Sequence, residues 1–146
     1  MPIAGSDEGA GAAVDLWSWR LSGGEARWLS SDEAERAGRF AFARDRDRYV
    51  AGRSRLREVL GAALGLAPEA VRFHYNRYGR PEVEGLSFSL AHSDDLALLA
   101  VGAAGLPPGL PLGLPLGVDL EAVRPLAPDL ARAGLAPAEA RALEAL

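Results

Sequence analysis

Asp119 and Glu121 lie two positions apart, and their type and spacing suggest chemistry. Residues 117–123 read as a strand, in which alternate side chains share a face, so both acids point the same way. Their neighbours Val118, Leu120 and Val123 are apolar. Two like charges in such a strand are costly to bury unless a cation neutralises them. Hard oxygen donors in a pair suit Mg²⁺, which takes one or two carboxylates and leaves other positions to water and phosphate oxygens. The same spacing also fits an exposed edge strand with both acids in water.

His92 stands where a strand gives way to a turn containing Ser93, Asp94 and Asp95. Strand ends of this kind often carry function, and a histidine that merely stabilises the turn is the alternative. His74 falls inside a strand pattern and reads as structural. There is no cysteine, which excludes thiol nucleophiles, disulfides and zinc–thiolate sites. Glycine-rich phosphate loops are absent too, so any phosphate must be held by arginine or histidine.

Every one of the 16 basic residues is arginine, whose planar fork suits phosphates and carboxylates. Residues 36–57 hold eight arginines against Asp45 and Asp47. That segment carries +6 in a chain of net charge −4, so the remainder carries −10. One basic segment in an acidic protein points to an anionic ligand there and away from general nucleic-acid coating.

The positioning elements follow from patterning. Residues 14–21 alternate as a strand. Ser30 and Glu33 form a capping box opening a helix to about Arg39, with Phe40 and Phe42 expected as core anchors after it. A second helix spans about 44–64, with Tyr49, Leu56, Val59, Leu60 and Ala63 on one stripe and Gly65 as its C-cap. Arginines border that stripe, and the plain reading has them snorkelling to solvent. Strands are expected over 71–76, 86–90 (broken by residues 91–95) and 96–101, with a turn at 78–81. Residues 1–13 read as a disordered tail and 105–116 as a Gly/Leu/Pro-rich loop. A final helix begins at Pro137.

At 146 residues, 49% hydrophobic and 25% charged, the composition is that of an ordinary globular domain. No apolar run approaches a membrane span and no signal peptide is evident, so a cytoplasmic protein with no membrane partner is expected.

In chain order the pieces are Gly79-Arg80-Pro81, Phe88-Ser89-Leu90-Ala91-His92-Ser93 and Gly117-Val118-Asp119-Leu120-Glu121. This order and spacing resemble the 4′-phosphopantetheinyl transferase superfamily, in its larger, surfactin-synthetase-activating type. The likeness takes in Phe40 and the helix bearing Arg53 and Arg57, and covers roughly residues 14–146.

The resemblance implies an α+β fold, with an antiparallel or mixed sheet packed on a long helix. Residues 14–104 would form a first lobe and 117–146 the start of a second. It implies an enzyme that moves the phosphopantetheine arm of coenzyme A onto a serine of an acyl or peptidyl carrier protein, with Mg²⁺. Asp119 and Glu121 would hold the metal, and His92 would act beside them on a coenzyme A phosphate. Arg80, in place of the family's lysine, and Ser93 would also touch coenzyme A. Arg36 and Arg53 would hold its 3′-phosphate or adenosine end. An acidic carrier protein and coenzyme A are the implied partners, with no nucleic acid.

Two departures are evident. Ala91 replaces the family's usual serine, and the family's Trp-x-x-Lys-Glu signature is absent. The expectation is therefore a C-terminally truncated second lobe, in a monomer or a chain complemented by a second lobe. The alternative function is a non-catalytic remnant that binds coenzyme A or a carrier protein without transfer. The small trimeric synthase type fits less well, because its aspartate motif lies near the N-terminus. A nucleic-acid module built on the arginine helix is disfavoured by the net negative charge.

Overall fold

A computed structural model describes residues 2–3, 14–102 and 116–123, with positions 137 and 141 besides. The chain is α+β. Its strands are β1 (Pro2–Ile3), β2 (Val14–Arg20), β3 (His74–Tyr75), β4 (Pro81–Glu82), β5 (Phe88–Ser93) and β6 (Leu96–Gly102), and its helices α1 (Ser31–Gly38) and α2 (Ala43–Leu64). Four strands form one antiparallel sheet in the order β1-β2-β6-β5, and β3 pairs with β4 separately. Among the described residues, no helix is long and apolar enough to cross a membrane.

The apolar run on β6 makes it the central strand. Leu99 and Val101 are buried on one face and Ala100 on the other, as a near-continuous hydrophobic strand requires. Leu56, Val59 and Leu60 of α2 meet Phe88, Leu99 and Val101 of the sheet, and Val71 and Val83 complete the core. Helix α2 ends where Gly65 adopts a left-handed φ of 68°. On its way to α1 the chain passes so close to α2 that a Cβ on Gly24 would lie 2.6 Å from the Ala51 backbone. Only glycine fits that crossing.

Several expectations change. Strand β5 does not break at Ala91: it runs through His92 to Ser93, because Asp94 takes φ 50° and closes a two-residue turn onto β6. The 71–76 strand shrinks to His74–Tyr75. Val71 turns into the core instead, and its carbonyl accepts Arg57 Nη1 at 2.9 Å. His74 is exposed, not internal, with Nε2 3.5 Å from Glu82 Oε2.

Phe40 and Phe42 are not core anchors. Phe42 is the N-cap of α2 and 71% exposed, while Phe40 is 37% exposed and packs beside the Tyr49 ring, 5.4 Å between centroids. Ala63 is exposed, because the returning chain covers Gly61 instead, where Leu66 N donates to Gly61 O at 2.8 Å. Part of the expected disordered tail, Pro2–Ile3, pairs with Trp17 and Leu16 of β2. The rest of residues 1–13, the loop over 105–115 and most of 124–146 lie outside the described residues.

Candidate functional site

Glu33 is the electrostatic centre of the helical side. Its carboxylate accepts the Ser30 backbone N–H at 3.0 Å, closing the expected capping box. The same carboxylate accepts Arg53 Nε on Oε1 at 2.7 Å and Arg57 Nε on Oε2 at 2.7 Å. Glu33 and Arg57 are each 2% exposed and Arg53 is 9% exposed. Burial pushes the Glu33 carboxyl up, but Arg57, Arg53 and the Ser30 amide together hold it below the ordinary range.

These arginines therefore do not snorkel. Both stack on Phe73, with Arg53 Cζ 4.4 Å and Arg57 Cζ 5.1 Å from the ring centroid. Arg57 Nη1 reaches the Pro68 and Val71 carbonyls, and Arg53 Nη2 donates to the Tyr75 hydroxyl at 3.0 Å. Arg36, on α1, is exposed and sits 5.5 Å over the Tyr49 ring. Burial raises the Tyr49 hydroxyl's pKa above its ordinary value, against the opposing pull of Arg53 and Arg36.

The β3–β4 hairpin carries Arg80. Asn76 Oδ1 accepts the backbone amides of Tyr78 and Arg80, and Gly79 supplies the left-handed φ of 77° that the turn needs. Arg80 Nη2 donates to the Phe88 and Leu116 carbonyls, both at 2.9 Å, so it bridges β5 and residues 116–123.

Residues 116–123 do not form the expected ladder strand. They run beside β5, joined to it through side chains. Val118 N donates to Ser89 Oγ at 3.2 Å and Ala122 N to Ser93 Oγ at 3.1 Å. Both bonds span 29 residues, so the two stretches run in the same direction. Val118, Leu120 and Ala122 are half-buried, whereas Asp119 and Glu121 are exposed. The acids thus share the open face, as their spacing implies. Asp119 Oδ1 accepts the Leu120 amide at 2.9 Å.

Among the described residues, no group of three or more His, Cys, Asp or Glu side chains converges as a metal cage. A pair of exposed carboxylates is still a fitting donor set for Mg²⁺, which commonly takes one or two protein carboxylates and fills the rest with water and phosphate.

The structure brings Arg80, Ser93, Asp119 and Glu121 to one edge of the sheet. His92 is exposed on β5 next to Ser93, but strand alternation turns it to the other face. Arg36 and Arg53 belong to the helical side, tied to the hairpin through Tyr75. Sequence reasoning passed over the roles of Ser89, Tyr75 and the buried Glu33. The available signal was the Arg53/Arg57 spacing of one helical turn, which aims two guanidinium groups at one partner.

Residues 21–103 match the family described as 4′-phosphopantetheinyl transferase, N-terminal. The chain is 40% identical over 124 residues to 4′-phosphopantetheinyl transferase HetI of Nostoc sp., covering 77% of this chain and 48% of that protein. It is 28% identical over 120 residues to a 4′-phosphopantetheinyl transferase of Bacillus subtilis, covering 80% and 49%. Against the L-aminoadipate-semialdehyde dehydrogenase-phosphopantetheinyl transferase of Mus musculus it is 29% identical over 112 residues, covering 67% and 36%. The chain spans about half the length, or less, of these curated relatives. With the family match running from the end of β2 through β6, and the identity to HetI extending over most of the sequence, the chain belongs to the 4′-phosphopantetheinyl transferase family.

Proposed function

We propose that this chain carries the coenzyme A-handling part of a Mg²⁺-dependent transferase that moves the 4′-phosphopantetheine arm of coenzyme A to a serine of an acyl or peptidyl carrier protein. The observation that carries the reading is the segment bearing Asp119 and Glu121, fastened along the sheet edge by Arg80 at its start and by Ser93 at its end, in a chain of this family.

In this reading Asp119 and Glu121 hold Mg²⁺, which supplies charge neutralisation for a pyrophosphate. Arg80 faces the phosphates from the hairpin. Ser93 keeps its hydroxyl proton to donate to phosphate while its oxygen accepts Ala122 N. His92 hydrogen-bonds coenzyme A from the end of β5. Arg36 contacts the 3′-phosphate or adenosine end directly, and Arg53 contributes its charge there from behind Tyr75. The carrier serine attacks the phosphorus bearing pantetheine, its proton passes to a base, and 3′,5′-adenosine bisphosphate leaves. Arginines at the start of α2 would steer an acidic carrier protein toward the site.

The test is to incubate the protein with Mg²⁺, coenzyme A and an apo carrier protein and weigh the carrier by mass spectrometry. A pantetheinyl mass increase that chelator abolishes supports the reading. Coenzyme A binding by calorimetry with no mass increase establishes the binding-only alternative for this chain. Neither binding nor transfer refutes both.

A further inference from the structure

Among the described residues, three side-chain bonds hold residues 116–123: Arg80 on the Leu116 carbonyl, Ser89 on the Val118 amide and Ser93 on the Ala122 amide. Two of these bonds bracket Asp119 and Glu121 on either side. From this placement we infer that Ser89 and Ser93 are positioning residues, whose hydroxyls fix the register of this segment so that Asp119 and Glu121 present their carboxylates together to a divalent cation. The inference rests on the metal reading given above and assigns the two serines a part in it.

The physical reason is register. An extended segment has a side-chain period of two, so a slip by one residue exchanges its faces. Here a slip would turn Asp119 and Glu121 inward and expose Val118, Leu120 and Ala122. A backbone ladder ordinarily forbids such a slip, but residues 116–123 are not assigned to one. The serines supply the missing specification. They lie four residues apart on one face of β5, and they accept from amides four residues apart on the segment. Any one-residue shift leaves both hydroxyls facing positions whose amides point the other way.

Arg80 adds a stop at the segment's start, because the same Nη2 that reaches Leu116 is tied to Phe88 of β5. It fixes where the segment begins, and the serines fix how it is aligned. Threonine would preserve the hydroxyl acceptor at either serine, whereas alanine removes it.

The experiment uses the whole 146-residue chain. Amide hydrogen exchange is followed by NMR at Val118, Ala122 and, as a core reference, Leu99. Manganese affinity is measured in parallel by water-proton relaxation. In the double variant Ser89→Ala/Ser93→Ala, exchange at Val118 and Ala122 is expected to speed up roughly fivefold, the equivalent of one ordinary hydrogen bond of ~1 kcal/mol. Leu99 stays protected, and manganese affinity falls by a similar factor. The double variant Ser89→Thr/Ser93→Thr restores both. Faster exchange with unchanged manganese affinity overturns the positioning role, as does unchanged exchange. A wild-type chain that holds no manganese sinks the metal reading itself and the inference with it, and that failure is visible with both serines intact.

Discussion

Arg57 donates from Nε to Glu33 at 2.7 Å across the gap between α2 and α1, and neither residue is more than 2% exposed. Arg53 approaches the other oxygen of the same carboxylate. A single buried anion thus serves two buried cations, and the excess positive charge is spread onto Phe73 and onto two backbone carbonyls. Breaking a buried network of this kind by removing one member is far costlier than its net contribution to stability, because the remaining charges lose their partner.

Glu33→Gln should therefore destabilise the fold by about 3–5 kcal/mol in urea unfolding, since it leaves two buried guanidinium groups without an anion. The wild-type protein should also show acid sensitivity from this residue. The Glu33 carboxyl is held below its ordinary value of 4.5. Its contribution is complete above that pH and is lost as pH falls through the depressed folded value. Asp32 is also held low, by the Ser30 side chain, but it is exposed and contributes little. Stability measured from pH 6 down to pH 2 should fall less steeply in the Gln variant, judged by its slope against wild type.

Gly24→Ala and Gly38→Ala form a matched pair. At Gly24 the added Cβ would meet the Ala51 backbone at 2.6 Å, and an overpacking cost of about 1–3 kcal/mol follows. At Gly38 nothing lies within 4 Å, and the last turn of α1 gains a better helix former, worth up to ~1 kcal/mol in the stabilising direction. Thermal unfolding of the two variants should move in opposite directions.

Asp119→Asn and Glu121→Gln should each abolish or strongly weaken manganese binding while changing the unfolding free energy by no more than about 0.5 kcal/mol, the usual range for exposed positions. A large loss of stability in either variant would mean that the acids hold the fold together.

Phe42→Ser should cost no more than about 0.5 kcal/mol, because the ring is 71% exposed. Leu99→Ala, at a fully buried site on β6, should cost about 2–5 kcal/mol. Equal effects in denaturant titration would contradict the surface placement of Phe42.

Local features of the sequence were the legible ones. Ser30 with Glu33 marks the start of α1, and Gly65 marks the end of α2, since each signal acts within a turn of the residue carrying it. The central strand β6 was legible from its continuous apolar run. The hidden features depend on partners distant in sequence. Glu33 looks like a cap and nothing more until α2 brings Arg53 and Arg57 to it from 20 and 24 residues away. Phe42 looks like an anchor until the fold leaves it at a helix start on the surface. At the candidate site, the shared face of Asp119 and Glu121 follows from strand period alone. The serines that hold their segment could not be read, because a polar residue in a strand does not announce which amide it will meet.

A segment fastened by three side-chain bonds opens differently from one zipped into a sheet. Each bond is worth about 0.5–1.5 kcal/mol net, and the half-buried Val118, Leu120 and Ala122 add apolar contact to them, yet residues 116–123 can detach without disturbing a single rung between β2, β6 and β5. The two acids then ride on a unit with its own opening equilibrium, separate from the global unfolding of the core. Whatever binds them also clasps that unit shut, so ligand occupancy and local order at the sheet edge should rise and fall together.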